Sequence, residues 1–140
     1  MPEESTTPDL VEMTRRIFDA GSRHDLGAVL RFYAPDAVLD LSDAALGTFE
    51  GLAAIGSFLE DWWGTWGEHM IEVEESVDLG HGVVFSVVWE DGRLVGRDSH
   101  VQQRRGWVTL WVEDVISRTT VYLDIDEARA AAERLAEERG

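Results

Sequence analysis

The chain predicts an α+β domain in which N-terminal helices cover the concave face of a bent antiparallel sheet, leaving a cone-shaped pocket between the two layers. Three observations carry this expectation. Apolar residues recur at helical spacing through the first part of the chain, with breaks at Gly21-Ser22 and Pro35. From His69 the period changes to two, and segments of that kind continue to about Leu123 with turn residues between them. Runs of helix therefore precede runs of strand instead of alternating with them, the order that places helices on one face of an antiparallel sheet.

Each element has a local cause. Asp9 and Glu12 make a capping-box-like start for a first helix, with Leu10, Met13, Ile17 and Ala20 on one side. Asp25 can cap a short second helix with Leu26, Val29, Leu30 and Tyr33 inward, before Pro35 forces Ala34 out of helical conformation. A first strand follows from Ala37 to Leu41. The third helix opens after Gly51, and its apolar stripe is Ile55, Phe58, Leu59, Trp62 and Trp66, with Trp63 off it. In the next strand Ile71, Val73, Glu75, Val77 and Leu79 share one face. Gly82 to Trp89 is nearly continuous in apolar residues and reads as a strand covered on both sides, and Asp91-Gly92 is a hairpin turn signal. Strands from about Arg97 to Val112 and from Val115 to Leu123 are joined by a tight Glu113-Asp114 turn, and Gly106 suggests a bulge. Asp124 and Glu127 start a final helix, Ile125 to Glu138, whose alanine stripe offers a shallow packing surface.

Length and composition narrow the function. At 140 residues the chain has the size of one domain, expected over 9–140 with a disordered polar tail at 1–8. It has no cysteine, so disulfides and thiolate chemistry are excluded. A net charge of −16 disfavours nucleic acid and anionic membrane as partners. Neither a signal peptide nor a membrane span is visible, which makes a cytoplasmic location the expectation. His24, His69 and His81 lie at turns or strand ends without metal-site spacing, so neither a metal nor a cofactor is expected.

The succession FYAPDAVLDL, GTFEG and VYLD, set in this element order, resembles the SnoaL-like branch of the nuclear-transport-factor-two-like superfamily over roughly residues 9 to 130. The resemblance implies a cone-shaped fold shared by isomerases, cyclases, hydrolases and non-catalytic binding proteins. It does not carry over the best-known mechanisms. The tyrosine and two aspartates of the ketosteroid isomerases fall on Ile17, Leu41 and, across Gly106, Arg104. The final aspartate of limonene epoxide hydrolase falls near Val121.

The residues themselves leave a small set of candidates. Asp40 and His100 are the candidate catalytic groups, as a general base and a proton carrier, if they face the pocket; the alternative is a solvated carboxylate and a rim histidine. The expected ligand-binding residues are Phe32, Phe58, Trp62, Trp66, Arg104, Arg118 and Tyr122. Arg104 and Arg105 point to opposite faces of a regular strand, so one of them reaches the inner side, where a guanidinium suits a carboxylate, phosphate or enolate oxygen. Intramolecular ion pairs are the alternative for these arginines. Six tryptophans are many for this length, and most are expected in the core or in a dimer interface. Of the two faces of strand four, one carries Trp107, Thr109 and Trp111 and the other Val108 and Leu110, and the outward one is expected to contact a second subunit.

These readings converge on a homodimeric protein that binds a small hydrophobic, in one version anionic, molecule in an internal pocket. Two alternatives stay open: a cofactor-free acid/base isomerase, cyclase or hydrolase, and a dimeric accessory protein without a ligand.

Overall fold

The structure, a computed structural model, describes residues 9–140; the expected tail at residues 1–8 lies outside the described residues. Three helix starts are capped as the sequence implies. Asp9, Asp25 and Asp124 each accept from the backbone N–H three residues on, at 3.2, 3.1 and 3.0 Å, and each satisfies an orphan donor of the first turn. The helices are α1 (Leu10–Ser22), α2 (Leu26–Leu30), α3 (Leu52–Gly64) and α4 (Ile125–Arg139). Tyr33 is not in α2 as expected but opens β1 (Tyr33–Asp40), because Pro35 imposes extended backbone on the residues leading into it.

The other strands are β2 (Thr48–Glu50), β3 (Trp66–Gly80), β4 (Val83–Leu94), β5 (His100–Val112) and β6 (Val115–Tyr122), in the spatial order β2-β1-β6-β5-β4-β3. All neighbours are antiparallel except β1 and β6, which run parallel and correct the purely antiparallel expectation. That pair joins the two ends of the chain across the intervening helix and meander, a non-local contact that no local pattern announces.

Two glycines have a different purpose from the one their sequence context suggests. Asp91-Gly92 is not a turn: β4 runs on to Leu94, and Gly92 pairs with His69 on one side and Val101 on the other. A side chain at Gly92 would strike the Trp66 ring at 2.6 Å and the Glu68 carbonyl, so glycine is needed for close approach. Nor is Gly106 a bulge, since it pairs in unbroken register with Val87 and Tyr122. A Cβ there would collide with that of Ala128 on α4. Among the register irregularities of the sheet, one lies in β6, where Ser117 is extra between the Leu110–Arg118 and Trp111–Ile116 pairs, and a second lies in β3, where Glu74 is extra between Val73 and Glu75. The second one breaks the expected face of β3. Ile71 stays inward while Glu75 turns out to Arg129, and Ser76 turns in to meet Ser86 at 3.0 Å.

Each face of the sheet carries helices of this chain, the inner face three and part of the outer face one. Helices α1 to α3 close the inner face over Leu39, Val84, Trp111 and Val121, with Ile17, Ala20, Val29 and Ile55 contributed from the helices. On the outer face Ala128, Ala132 and Ala136 of α4 lie on Val83, Phe85, Val87 and Val108. Trp107, Thr109 and Trp111 are thus the inward set of strand β5, and Val108 is buried beneath α4. Neither residue pair expected to meet a second subunit forms an open patch. Among the described residues, no helix is long and apolar enough to cross a membrane.

Candidate functional site

A cavity of about 110 Å³ lies between α1, α3 and the inner face of the sheet. Its walls are mostly apolar: Ile17 and Phe18 from α1, Phe58, Leu59, Trp62 and Trp63 from α3, and Leu39, Trp107 and Val121 from the strands. Helix α3 does wall the pocket, but its phase differs from the expected one. Ile55, Gly56 and Trp63 are its buried positions, while Trp62 is only partly buried and borders the cavity. Trp63 belongs inward because the α1–α2 turn brings His24 against it as a stacked pair, with ring centroids 4.9 Å apart. Trp66 lies beyond the end of α3. It opens β3, is buried, and stacks on His69 at 4.4 Å. Phe32 sits behind the wall, edge-on to Trp111 at 6.2 Å.

Several expected site residues lie outside this cavity, and their positions follow from strand parity. Asp40 alternates with the inward Leu39 and Leu41, so it faces away. There it accepts from the Ser42 hydroxyl at 2.6 Å, from Thr48 at 3.2 Å and from Arg118 at 2.7 Å. The Ser42 hydroxyl bond is the largest reason that its carboxyl titrates below the usual aspartate range, with the Ser42 amide, Arg118 and Thr48 adding to it against a smaller opposing effect of burial. Asp40 and Arg118 together staple β1, the following turn and β6, and neither can act as base or anchor in the pocket. His100 is exposed, 3.1 Å from Asp91. Arg104 is on the outer face, paired to Glu74 at 2.8 Å. Tyr122 packs outward near α4. None of these five reaches the cavity.

The cavity's polar groups are others. Arg105, the inward member of the Arg104-Arg105 pair, and Glu90 both line it. Glu90 was hidden in sequence by the Trp89-Glu90-Asp91-Gly92 run, which reads as strand end and turn. Its two oxygens are both taken: the His69 ring lies 2.6 Å from one, and the Gln103 amide donates to the other at 2.6 Å. The His69 side chain is 2% exposed and that of Glu90 16%, and behind His69 the partly buried His24 ring lies 2.7 Å away. Arg105 donates to the Gln103 carbonyl oxygen at 2.6 Å, and no carboxylate lies within ion-pair distance of it among the described residues. At the far wall the Tyr33 phenol is buried 3.5 Å from the Thr119 hydroxyl, and burial pushes its titration upward.

Burial alone would raise the Glu90 carboxyl. The hydrogen bonds from His69 and Gln103, the His69 charge and the Trp62 indole outweigh it and hold the group below the ordinary glutamate range. His24 is lowered by burial first and by His69 second, against a smaller opposing pull from Glu90. In His24, Glu90 and Asp40 the deprotonated form is favoured by folding, so the unfolded chain binds more protons as pH falls. Stability should therefore decline first below the ordinary histidine value of about 6.5, through His24, and again below about 4, through Glu90 and Asp40. Urea denaturation at pH 7.5 and 5.5 checks the first step. His24→Gln should reduce the drop between the two pH values, and an unchanged drop would mean that His24 is not responsible.

The family model of the SnoaL-like domain matches residues 14–118. No curated protein matches the chain. Solved structures match in fold. An NTF2-like protein of unknown function from Burkholderia pseudomallei is 17% identical, with a TM-score of 0.73 and coverage of 86% of this chain and 95% of its own. A hypothetical protein with a ketosteroid isomerase-like fold from Catenulispora acidiphila, solved in complex with trimethylamine, is 16% identical, with a TM-score of 0.72 and coverage of 91% and 94%. A Mycobacterium tuberculosis protein in complex with estradiol-17β-hemisuccinate is 13% identical, with a TM-score of 0.70 and coverage of 85% and 97%.

Proposed function

This chain belongs to the SnoaL-like domain family, and from that premise we propose that its cavity binds a small hydrophobic molecule carrying an anionic oxygen, which Arg105 receives. The observation behind this reading is a guanidinium in a mostly aromatic and aliphatic pocket, with one short bond to Gln103 and no carboxylate partner among the described residues. A planar fork of five donors with most of its capacity unused is suited to a carboxylate or enolate. Glu90, the other charged group of the pocket, is already engaged at both oxygens.

The fold does not set the charge of the ligand. One neighbour of this fold is solved with an amine and another with a steroid hemisuccinate, a hydrophobic body bearing a carboxylate. In this pocket the unused polar capacity is cationic. The acid/base reading built on Asp40 and His100 has no support from their positions on the outer face and rim.

Titration with 2-naphthoate and its neutral counterpart 2-naphthamide, followed by calorimetry, tests the reading. The carboxylate should bind more tightly, and Arg105→Gln should weaken it about tenfold or more while leaving the amide within twofold, as expected for losing a charge-assisted hydrogen bond. Equal affinity of the two compounds for the native protein would sink the proposal.

Self-association is also part of the proposal, on the half of the outer face that α4 leaves open. There Met70 is 55% exposed beside the partly buried Trp89. Sedimentation should give about twice the 15.7 kDa chain mass, and a monomer would remove it.

A further inference from the structure

We propose that His69, backed by His24, is a positioning residue for the pocket: by occupying Glu90 it keeps that carboxylate from capturing Arg105. This rests on Arg105 being the anion anchor. The side chains form a rail of hydrogen bonds from the α1–α2 turn into the cavity. His24 meets His69 at 2.7 Å, His69 meets Glu90 at 2.6 Å, Gln103 donates to Glu90 at 2.6 Å, and Arg105 donates to Gln103 at 2.6 Å.

The direction of nearly every link is forced. Arg105 only donates, so the Gln103 oxygen must accept and its amide nitrogen must point to Glu90. An ionised Glu90 only accepts, so His69 must present an Nε2 hydrogen to it. With the Nε2 hydrogen of a neutral His69 committed to Glu90, its Nδ1 accepts and His24 Nε2–H donates to it.

Cross-strand register shows what the rail prevents. Glu90 is opposite Gln103, and Arg105 is opposite Val88, two residues back on β4 and on the same inner face. A glutamate and an arginine on such a diagonal are within mutual reach on a sheet. Inside a pocket of low polarity they would ordinarily pair, and the guanidinium would then be neutralised before any ligand arrived. Here His69 and Gln103 hold both Glu90 oxygens, and His69 is itself clamped between the Trp66 ring and His24. The negative charge is thereby fixed to one side, and Arg105 keeps its remaining donors for the cavity.

The test uses the full chain with 2-naphthoate and 2-naphthamide in calorimetry, with thermal melts to confirm folding. His69→Leu frees one Glu90 oxygen and should weaken naphthoate about tenfold, with naphthamide within twofold. The double variant His69→Leu with Glu90→Gln removes the competing charge and should restore naphthoate binding, which a merely structural role for His69 would not do. Gln103→Leu, which severs the rail at a second point, should show the same selective loss and the same rescue by Glu90→Gln, and it supplies the answer should His69→Leu not fold. Naphthoate binding unchanged in a folded His69→Leu or Gln103→Leu protein, or a loss that Glu90→Gln does not rescue, overturns the inference. If Arg105→Gln alone leaves naphthoate binding unchanged, it is the anion-anchor reading that fails.

Discussion

Trp111→Ala should lower the unfolding free energy by about 4 kcal/mol, the range found for emptying a buried aromatic site. Trp111 is 3% exposed on the inner face of β5, and its indole N–H donates to the buried Thr14 hydroxyl of α1 at 3.0 Å. The ring therefore joins α1 to the sheet by packing and by a hydrogen bond at once. Alanine would leave a cavity together with a buried hydroxyl that has lost its partner, and the two costs add. Trp111→Phe keeps most of the volume and should cost less, about 1–2 kcal/mol, from the lost bond. Trp62→Ala should be milder than Trp111→Ala, because the Trp62 ring already borders open space. Urea midpoints of the three variants give the order. A Trp111→Ala loss below about 1 kcal/mol would place the ring outside the core.

Gly106→Val should release α4 from the sheet. Any Cβ at Gly106 collides with that of Ala128, and both atoms sit directly on backbone, so neither can swing aside as the end of a long side chain can. Relief requires the helix to move as a unit, which also unpacks Ala132 and Ala136 from Phe85 and Val87. Overpacking typically costs about 1–3 kcal/mol, and a rigid contact of this kind belongs at or above the upper end. Amide exchange in α4 should accelerate before that of β4 and β5, and Ala128→Gly in the same chain should recover part of the loss. Unchanged protection of α4 would show that the helix does not need the close approach.

Helix starts and the hairpin at Glu113-Asp114 were legible because their causes are local. An aspartate three residues ahead of an unpaired N–H caps a helix whatever surrounds it, and Glu113 and Asp114 adopt the left-handed conformation of a tight turn. The fold class followed from periodicity, and so did the rule that one of Arg104 and Arg105 must face inward, since strand parity needs only adjacent residues. Asp40 could be assigned away from the Leu39 and Leu41 face on the same ground.

Where causes are non-local, the sequence pattern pointed elsewhere. Asp91-Gly92 has the composition of a turn, yet Gly92 exists for the Trp66 ring, and Gly106 has the look of a bulge while making room for Ala128 of the C-terminal helix. The parallel contact of β1 with β6 has no signature in either strand. Glu90, His69 and His24 come from a strand end and two apparent turns, and only the β3–β4 register and the α1–α2 turn bring them together. The sequence by itself determined the helices, the strand alternation and the supply of charged groups, because those depend on conformational preferences within a few residues. The tertiary structure alone decided which charges are buried, which of them are partnered, and which guanidinium stands without a carboxylate among the described residues, because burial and pairing are properties of the packed layers.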